Sequence, residues 1–132
     1  MSIFFAGSYS TLAPIRLDVA AATTLTPPEL VALNISGDAV PASDTAGLRV
    51  IGQCLQLADN SAGAAGDIQA RVAPFGVIKL DCTGLSKADL LTNVCIKDSS
   101  SVYSCSASNE QVVAGLLMSY TNDIATIKIN DG

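Results

Sequence analysis

The sequence predicts an all-β fold, a small antiparallel β-barrel or sandwich, and three patterns lead to this prediction. Short apolar runs are separated by turns rich in Gly, Asp, Asn, Ser and Pro about every ten residues, the strand spacing of sandwiches and barrels. Several runs alternate apolar and polar residues, the period-two pattern of a half-buried strand. A single segment, residues 86–91, begins like a helix, so we expect one short helical turn.

The composition predicts one folded domain with a sizeable core. The chain has 132 residues, of which 49% are hydrophobic and 14% charged, whereas disordered chains combine low hydrophobicity with high charge. We divide it into an N-terminal arm at residues 1–12 and a single β domain at residues 13–132. So little charge favours a protein whose surface is partly covered by a partner.

The first strands are predicted from alternation and from the turns between them. Residues 15–19 alternate apolar and polar side chains, and the Thr-Pro-Pro segment at residues 26–28 breaks the chain because proline cannot donate a ladder hydrogen bond. Residues 31–34 and 39–41 flank a Ser-Gly-Asp turn, so they are predicted to form a tight hairpin.

The middle of the chain is predicted to hold two longer strands and a loop. Residues 49–57 form an apolar run in which Gly52 indicates a bulge. The small-residue loop at residues 59–67 leads into an alternating strand at residues 68–72. A proline interrupts this strand, and residues 77–80 resume the strand pattern.

The last third contains the helical turn and the closing strands. Ser86 is the predicted N-cap, and Asp89 three residues later makes a variant of the capping box. Gly115 indicates another bulge, and residues 121–123 are a predicted hairpin turn. The predicted strands of this region are residues 94–97, 112–120 and 124–129.

The residues propose no catalytic, metal or cofactor site. The chain has no His, which removes the most common general base and the Ser-His and Cys-His pairs. Glu29 and Glu110 have no carboxylate nearby in sequence that would form an acid–base pair. Asp59 and Asp67 flank a Gly-rich loop, but their order departs from the calcium-loop pattern, and the loop has no Lys for a phosphate.

The charge distribution argues against nucleic acids and membranes as partners. The net charge is −5, and the seven basic residues are scattered rather than gathered into the patch that binds nucleic acid or an anionic membrane. No window of the sequence has the length of a membrane span.

The four cysteines, Cys54, Cys82, Cys95 and Cys105, lack the paired spacing of a zinc site. Their even number permits two disulfides in three pairings. We expect reduced thiols, because the N-terminus does not resemble a secretion signal. Cys54 lies in an apolar run and is expected to be a small buried hydrophobe.

The order of turns resembles a known family. Residues 30–34, Leu-Val-Ala-Leu-Asn, are followed by Gly37 and then by residues 39–42 and 47–52, and this order resembles the head-decoration, or capsid cement, proteins of tailed bacteriophages. The resemblance spans about residues 15 to 130. It continues through the loop at residues 59–67, the Gly-Val pair at 76–77, the helical turn at 85–89, and residues 94–102 and 124–129. The chain departs from the family at residues 73–75, Ala-Pro-Phe, where the family often has basic residues.

The resemblance implies a virion protein, assembled in the host cytoplasm, that binds the outer surface of the assembled head and stabilises contacts between major capsid subunits. A homo-oligomer, dimer or trimer, is expected on a capsid axis. Candidate capsid or subunit contacts are Ile3, Phe4 and Phe5, which make the N-terminal arm apolar; a frayed terminus is the alternative.

Two other function classes remain open. The first is a carbohydrate-binding or adhesive β-sandwich on a virion or cell surface, for which Tyr9, Tyr103 or Tyr120 would have to line a cleft. The second is a hydrolase in which two Asp side chains converge and have raised pKa values.

Overall fold

The computed structural model describes residues 13–74, 76–121 and 123–129. The predicted arm at residues 1–12 lies outside the described residues. The strands of the described part are β1 (Ile15–Asp18), β2 (Thr23–Leu25), β3 (Leu30–Leu33), β4 (Ala39–Pro41), β5 (Arg49–Cys54), β6 (Ala58–Asn60), β7 (Gln69–Pro74), β8 (Val77–Thr83), β9 (Asn93–Asp98), β10 (Ser101–Ser104), β11 (Val113–Thr121) and β12 (Ile124–Ile129). Its helical segments are two 3-10 turns, η1 (Lys87–Asp89) and η2 (Cys105–Ala107).

The strands divide into a sheet lobe, β1 to β7, and a barrel lobe, β8 to β12. In the sheet lobe, a five-stranded sheet in the order β1-β7-β5-β3-β4 is accompanied by a two-stranded ribbon of β2 and β6. In the barrel lobe, five strands close in the order β10-β8-β12-β11-β9. The all-β prediction is therefore confirmed within the described part of the chain.

One strand pair in the barrel is parallel, β8 with β10, while the other four are antiparallel. The physical reason is the odd number of strands. Around a closed ring of five, strand direction cannot reverse at every step, so at least one neighbouring pair must be parallel. The apolar runs that predict the strands do not contain this information.

Strand β3 is shared by two hydrophobic cores. Its side chains alternate, so Leu30 and Ala32 join the barrel core, whereas Val31 and Leu33 face the ribbon. A strand buried on both faces reads as a continuous apolar run, as residues 30–33 do. The barrel core contains Leu30, Ala32, Ala42, Val50, Leu80, Cys82, Leu85, Val94, Ile96, Val102, Val112, Ala114, Leu117, Ala125, Ile127 and Ile129.

The second core, called the ribbon core, lies between the five-stranded sheet and the ribbon. It is smaller, and three of its side chains are alanines. Its members are Val19, Leu25, Val31, Ala39, Ile51, Cys54, Ala58, Ala70 and Val72.

A buried amide holds the loop beside the ribbon core. Asn60 is only 2% exposed, and its Nδ2 donates to the carbonyls of Val19, Ala20 and Ala64 at 3.2, 3.1 and 2.9 Å. Its Oδ1 lies so close to Gly63 that an added Cβ there would come within 2.1 Å. The small-residue loop is therefore packed against Asn60, and Asp59 and Asn60 belong to β6 rather than to the loop as predicted.

Both glycines predicted to mark bulges do so. The pairing of β3 with β5 shifts beside Gly52, and the pairing of β9 with β11 shifts beside Gly115. In each case a neighbouring backbone approaches closely, since an added Cβ would lie 2.0 Å from the Ala73 carbonyl oxygen or 2.2 Å from that of Lys128.

The predicted helical turn is also confirmed. Ser86 precedes η1 in an extended conformation, and Asp89 Oδ2 accepts the Ser86 backbone N–H at 2.8 Å. This contact is one half of the expected capping box. The second 3-10 turn, η2, was not predicted.

The expectation that all four cysteines are reduced is wrong for Cys95 and Cys105, which form a disulfide with a Cα–Cα distance of 4.9 Å. Strands β9 and β10 form an antiparallel hairpin in which Cys95 pairs with Tyr103, and η2 then turns Cys105 back toward Cys95. Cys54 is buried, as predicted, and Cys82 is also a buried free thiol. Burial raises the pKa of both free thiols above the ordinary value, which keeps them protonated.

Candidate functional site

The predicted contact residues Ile3, Phe4 and Phe5 lie outside the described residues, so their role stays a prediction. The described part of the chain offers a different apolar contact. Ile35 lies at the tip of the hairpin between β3 and β4 and is 90% exposed, more than any other large hydrophobic side chain in the described part of the chain.

Hydrogen bonds hold the turn that carries Ile35. Asn34 Oδ1 accepts the backbone N–H groups of Ser36 and Asp38 at 2.9 and 3.0 Å. Two backbone hydrogen bonds close the turn: the Asn34 N–H donates to the Asp38 carbonyl at 3.0 Å, and the Gly37 N–H donates to the Asn34 carbonyl at 2.9 Å. Gly37 has a φ of 83°, a conformation that glycine adopts without strain. An apolar side chain is thus presented to solvent by a pre-ordered turn.

A shallow pocket lies beside Ile35. Its volume is about 300 Å³, and it is formed where this hairpin meets the connection between β4 and β5. The Ile35 side chain approaches Gly47 of that connection, because a Cβ added to Gly47 would come within 2.9 Å of Ile35 Cγ2. The lining residues are Leu33, Asn34, Ile35, Gly37, Gly47 and Arg49.

Other large apolar side chains are exposed on both lobes. Leu91, beside η1, is 66% exposed, and Leu57, before β6, is 61% exposed. The remaining ones, exposed between 36% and 43%, are Ile15, Leu55, Ile68, Val77, Leu90, Val113, Met118 and Ile124. Single exposed hydrophobic residues are common, but an exposed residue at the tip of an ordered turn is suited to insertion into a partner.

Asp44 joins the two lobes through four hydrogen bonds. Its Oδ2 accepts the Tyr103 hydroxyl at 2.8 Å and the Asn109 N–H at 3.2 Å. Its Oδ1 accepts the Ser108 hydroxyl at 3.0 Å and the Glu110 N–H at 3.1 Å. The Tyr103 bond contributes most to lowering the pKa of Asp44 and in turn raises the pKa of Tyr103. This carboxylate therefore fastens the β4–β5 connection of the sheet lobe to the barrel lobe.

A second polar contact between the lobes involves Glu29. Its Oε1 accepts the Thr26 N–H at 2.7 Å, and its Oε2 accepts the Ser99 hydroxyl at 2.8 Å. A pocket of about 240 Å³ lies beside it, and its lining also includes Lys79 and Asp81 of the barrel lobe. Both oxygens of Glu29 thus accept hydrogen bonds that hold the fold.

The acidic loop at residues 59–67, whose order departs from the calcium-loop pattern, is held by hydrogen bonds to its own backbone and to Thr24. Asp59 Oδ1 accepts the Ser61 N–H and the Thr24 hydroxyl, both at 3.0 Å, and Asp67 Oδ2 accepts the Ala64 N–H at 2.9 Å. The bonds to Ser61 and then to Thr24 lower the pKa of Asp59. Among the described residues, no three Cys, Asp or Glu side chains form a group able to hold a metal ion.

The contacts of the described tyrosines and of Asp44 bear on the two alternative functions. The Tyr103 hydroxyl is bonded to Asp44, and Tyr120 packs against the barrel core, so both side chains are engaged within the protein. Tyr9 lies outside the described residues. The hydrolase hypothesis needs a carboxyl with a raised pKa, whereas the pKa values of Asp44 and Asp59 are lowered.

A sequence pattern at the Ile35 turn could have identified this contact residue, but the turn served only to predict a hairpin. Residues 34–38 read Asn-Ile-Ser-Gly-Asp, so one β-branched apolar residue lies inside an otherwise polar turn. Asn at the first position caps the turn through its side chain, which leaves the next residue at the tip. An apolar residue in such a place has no core to enter.

Comparison of the chain with protein-family models, with curated proteins and with solved structures finds no match. Within the described residues, neither helical turn has the length and hydrophobicity needed to cross a membrane.

Proposed function

We propose that this protein is a non-enzymatic capsid decoration protein of a tailed bacteriophage. It binds the outer surface of the assembled head, contacts the major capsid protein, and stabilises the contacts between neighbouring capsid subunits. It acts as a homo-oligomer, a dimer or a trimer, and reaches the virion after the capsid has assembled in the host cytoplasm. The family resemblance of residues 15–130 supports this proposal, and so does the surface of the protein.

The observation that carries the proposal is the 90% exposed Ile35 on its hydrogen-bonded turn. Burial of an isoleucine side chain against a partner contributes about 2 kcal/mol. Little conformational entropy is lost on binding, because Asn34 and Gly37 already hold the turn in one shape. Ile35 therefore has the properties of an interface anchor.

The low charge of the chain supports a broad contact with a capsid. Charged residues make up 14% of the sequence, so most of a flat interface forms without the desolvation of ions. A decorated capsid also presents many identical sites. When subunits of an oligomer bind neighbouring sites together, weak single contacts add up to durable attachment.

Co-sedimentation with undecorated capsids of the phage that carries this gene tests the proposal. The wild-type protein is expected to pellet with the capsids, and Ile35→Ser is expected to weaken binding about 30-fold per site, the equivalent of about 2 kcal/mol. The thermal midpoint of Ile35→Ser should match that of the wild type, because the side chain makes little contact with either core.

Met118→Ser is the matched control, since Met118 is an exposed apolar residue, at 43%, on a bulge of β11 in the other lobe. It should bind capsids as the wild type does. Failure of the wild-type protein to pellet with capsids would overturn the proposed function. If Ile35→Ser binds capsids as tightly as the wild type does, Ile35 is not part of the interface.

A further inference from the structure

A pocket on the sheet lobe is formed around two arginines. Its volume is about 190 Å³, and its lining residues are Arg16, Gln56, Leu57, Gln69 and Arg71. Arg16 in β1 and Arg71 in β7 are direct register partners, and both are exposed. Directly opposite residues in an antiparallel pair have Cβ atoms about 5 Å apart, so the two guanidinium groups share one small region of surface.

This arrangement works against the stability of the isolated protein. Like charges directly opposite each other in a sheet repel, and the chain has only seven basic residues against twelve acidic ones. Among the described residues, neither guanidinium group has a hydrogen-bond or ion-pair partner. Asp18 lies on the same face, but its Oδ1 accepts a hydrogen bond from Gln69 Nε2 at 3.1 Å.

The chemistry of the pocket selects a carboxylate. A guanidinium group presents a planar set of N–H donors that binds a carboxylate through two parallel hydrogen bonds. A second guanidinium beside it strengthens the attraction, and the exposed Leu57 lines the pocket with apolar surface. Residues 1–12, which lead toward β1, contain no Asp or Glu, so that segment has no acidic side chain to offer.

We propose that Arg16 and Arg71 together bind an acidic side chain, Asp or Glu, on the capsid shell. This inference rests on the proposed function and adds the chemistry of the partner: the sheet lobe binds an acidic segment of the capsid shell. The pair is thereby neutralised on binding, so assembly removes the repulsion that the free protein carries. The contact also orients the protein, because charge complementarity sets which face meets the shell.

The first experiment does not depend on capsids. The probe is the peptide acetyl-Glu-Glu-Glu-amide, titrated into the full-length protein while backbone and arginine side-chain NMR signals are followed. Shifts are expected to concentrate at residues 15–18 and 69–72. Arg16→Gln/Arg71→Gln should weaken probe binding about tenfold or more, since both charge-assisted contacts are lost.

A charge-matched control separates a specific pair from overall charge. Lys79→Gln/Lys87→Gln removes the same two positive charges from exposed positions of the barrel lobe, so both double variants have a net charge of −5 − 2 = −7. The control should change probe affinity by about twofold at most, because distant surface charges are screened by salt. Shifts elsewhere on the protein, or equal weakening by both double variants, would overturn the proposal.

Capsid co-sedimentation then distinguishes this inference from the proposed function. Wild-type protein and the lysine control should pellet with undecorated capsids, while Arg16→Gln/Arg71→Gln should require about tenfold more protein for half-saturation. If all three pellet equally, the arginine contact is wrong and the decoration function stands. If the wild type does not pellet, the decoration function is wrong. The proposed contact with an acidic side chain of the capsid is then wrong as well, even if the peptide binds the arginine pair.

Discussion

The two lobes differ in how their edge strands are paired. The barrel lobe closes five strands on themselves, so each strand has a partner on both sides. The sheet lobe closes only in part: β1 and β4 are the edge strands of its five-stranded sheet in the described part of the chain, and a single parallel bridge between Val19 and Ala39 joins them at one end. Polar and conformationally restricted residues occupy those edges: Arg16 and Asp18 in β1, and Pro41 at the end of β4.

The lobes also differ in what holds them together. The barrel core contains large aliphatic side chains and has a disulfide beside it. The ribbon core is smaller and richer in alanine, and the adjoining loop depends on the buried amide of Asn60. We therefore interpret the barrel lobe as a scaffold, and the sheet lobe as the one whose edges and turns, including Ile35 and the arginine pair, are available for contacts.

The largest expected effect tests whether the barrel core is the more rigid one. Leu117→Ala in the barrel core should lower the free energy of unfolding by about 4 kcal/mol, because a closed barrel relaxes little around a cavity. Leu25→Ala in the ribbon core should cost about 2.5 kcal/mol, since a two-stranded ribbon can move inward. Both side chains are 0% exposed, so they form a matched pair.

Urea denaturation of both variants measures this difference. An equal or larger loss for Leu25→Ala would contradict the view that the ribbon core yields more readily than the barrel core.

The disulfide gives the next largest effect. Cys95 and Cys105 are ten residues apart, and closing a loop of that length stabilises a fold by about 2–3 kcal/mol through the restricted unfolded chain. Cys95→Ala/Cys105→Ala should therefore lower the free energy of unfolding by about that amount. Adding a reductant should destabilise the wild type and leave the double variant unchanged.

Denaturation with and without reductant provides the measurement. If the reductant breaks the disulfide and the denaturation midpoint of the wild type does not change, the disulfide does not stabilise the barrel lobe.

The smallest effect concerns the contact between the lobes. The folded-state pKa of Asp44 is lowered from its ordinary value of 3.8, mainly by the Tyr103 hydroxyl. A lowered folded-state pKa means that Asp44 stabilises the protein above pH 3.8 and that this contribution disappears as the pH falls through the lowered value. Asp44→Asn should therefore lower the thermal midpoint at neutral pH, and the difference from wild type should shrink toward pH 3.

Thermal unfolding between pH 7 and pH 3 follows this difference. Tyr103→Phe should reproduce part of the loss at neutral pH, because it removes the shortest of the four bonds to Asp44, which is also the one that lowers the pKa of Asp44 most. A gap between wild type and Asp44→Asn that stays constant over this range would mean that the carboxylate charge does not stabilise the junction of the lobes.

Local patterns in the sequence predicted most of the strands and turns. The pattern at residues 31–34 predicted a strand, which the structure places at residues 30–33, and a glycine inside each of two longer apolar runs, Gly52 and Gly115, predicted a bulge. The capping residues Ser86 and Asp89 act within one turn of chain. The cap depends on neighbours in sequence alone, and the strands and bulges leave a local pattern of apolar residues and glycine, although the backbones that approach Gly52 and Gly115 belong to the distant residues Ala73 and Lys128.

Features that depend on strand register and closure have no signature in the local sequence pattern. The Cys95–Cys105 bond needs η2 to fold back onto β9, the parallel β8–β10 pair follows from closing an odd-numbered ring, and the carboxylate of Asp44 meets its partners across 59 to 66 residues of sequence. Arg16 and Arg71 also become neighbours only when β1 pairs with β7 in one particular register. Periodicity shows which face of a strand is buried, but register and closure decide which residues meet across it.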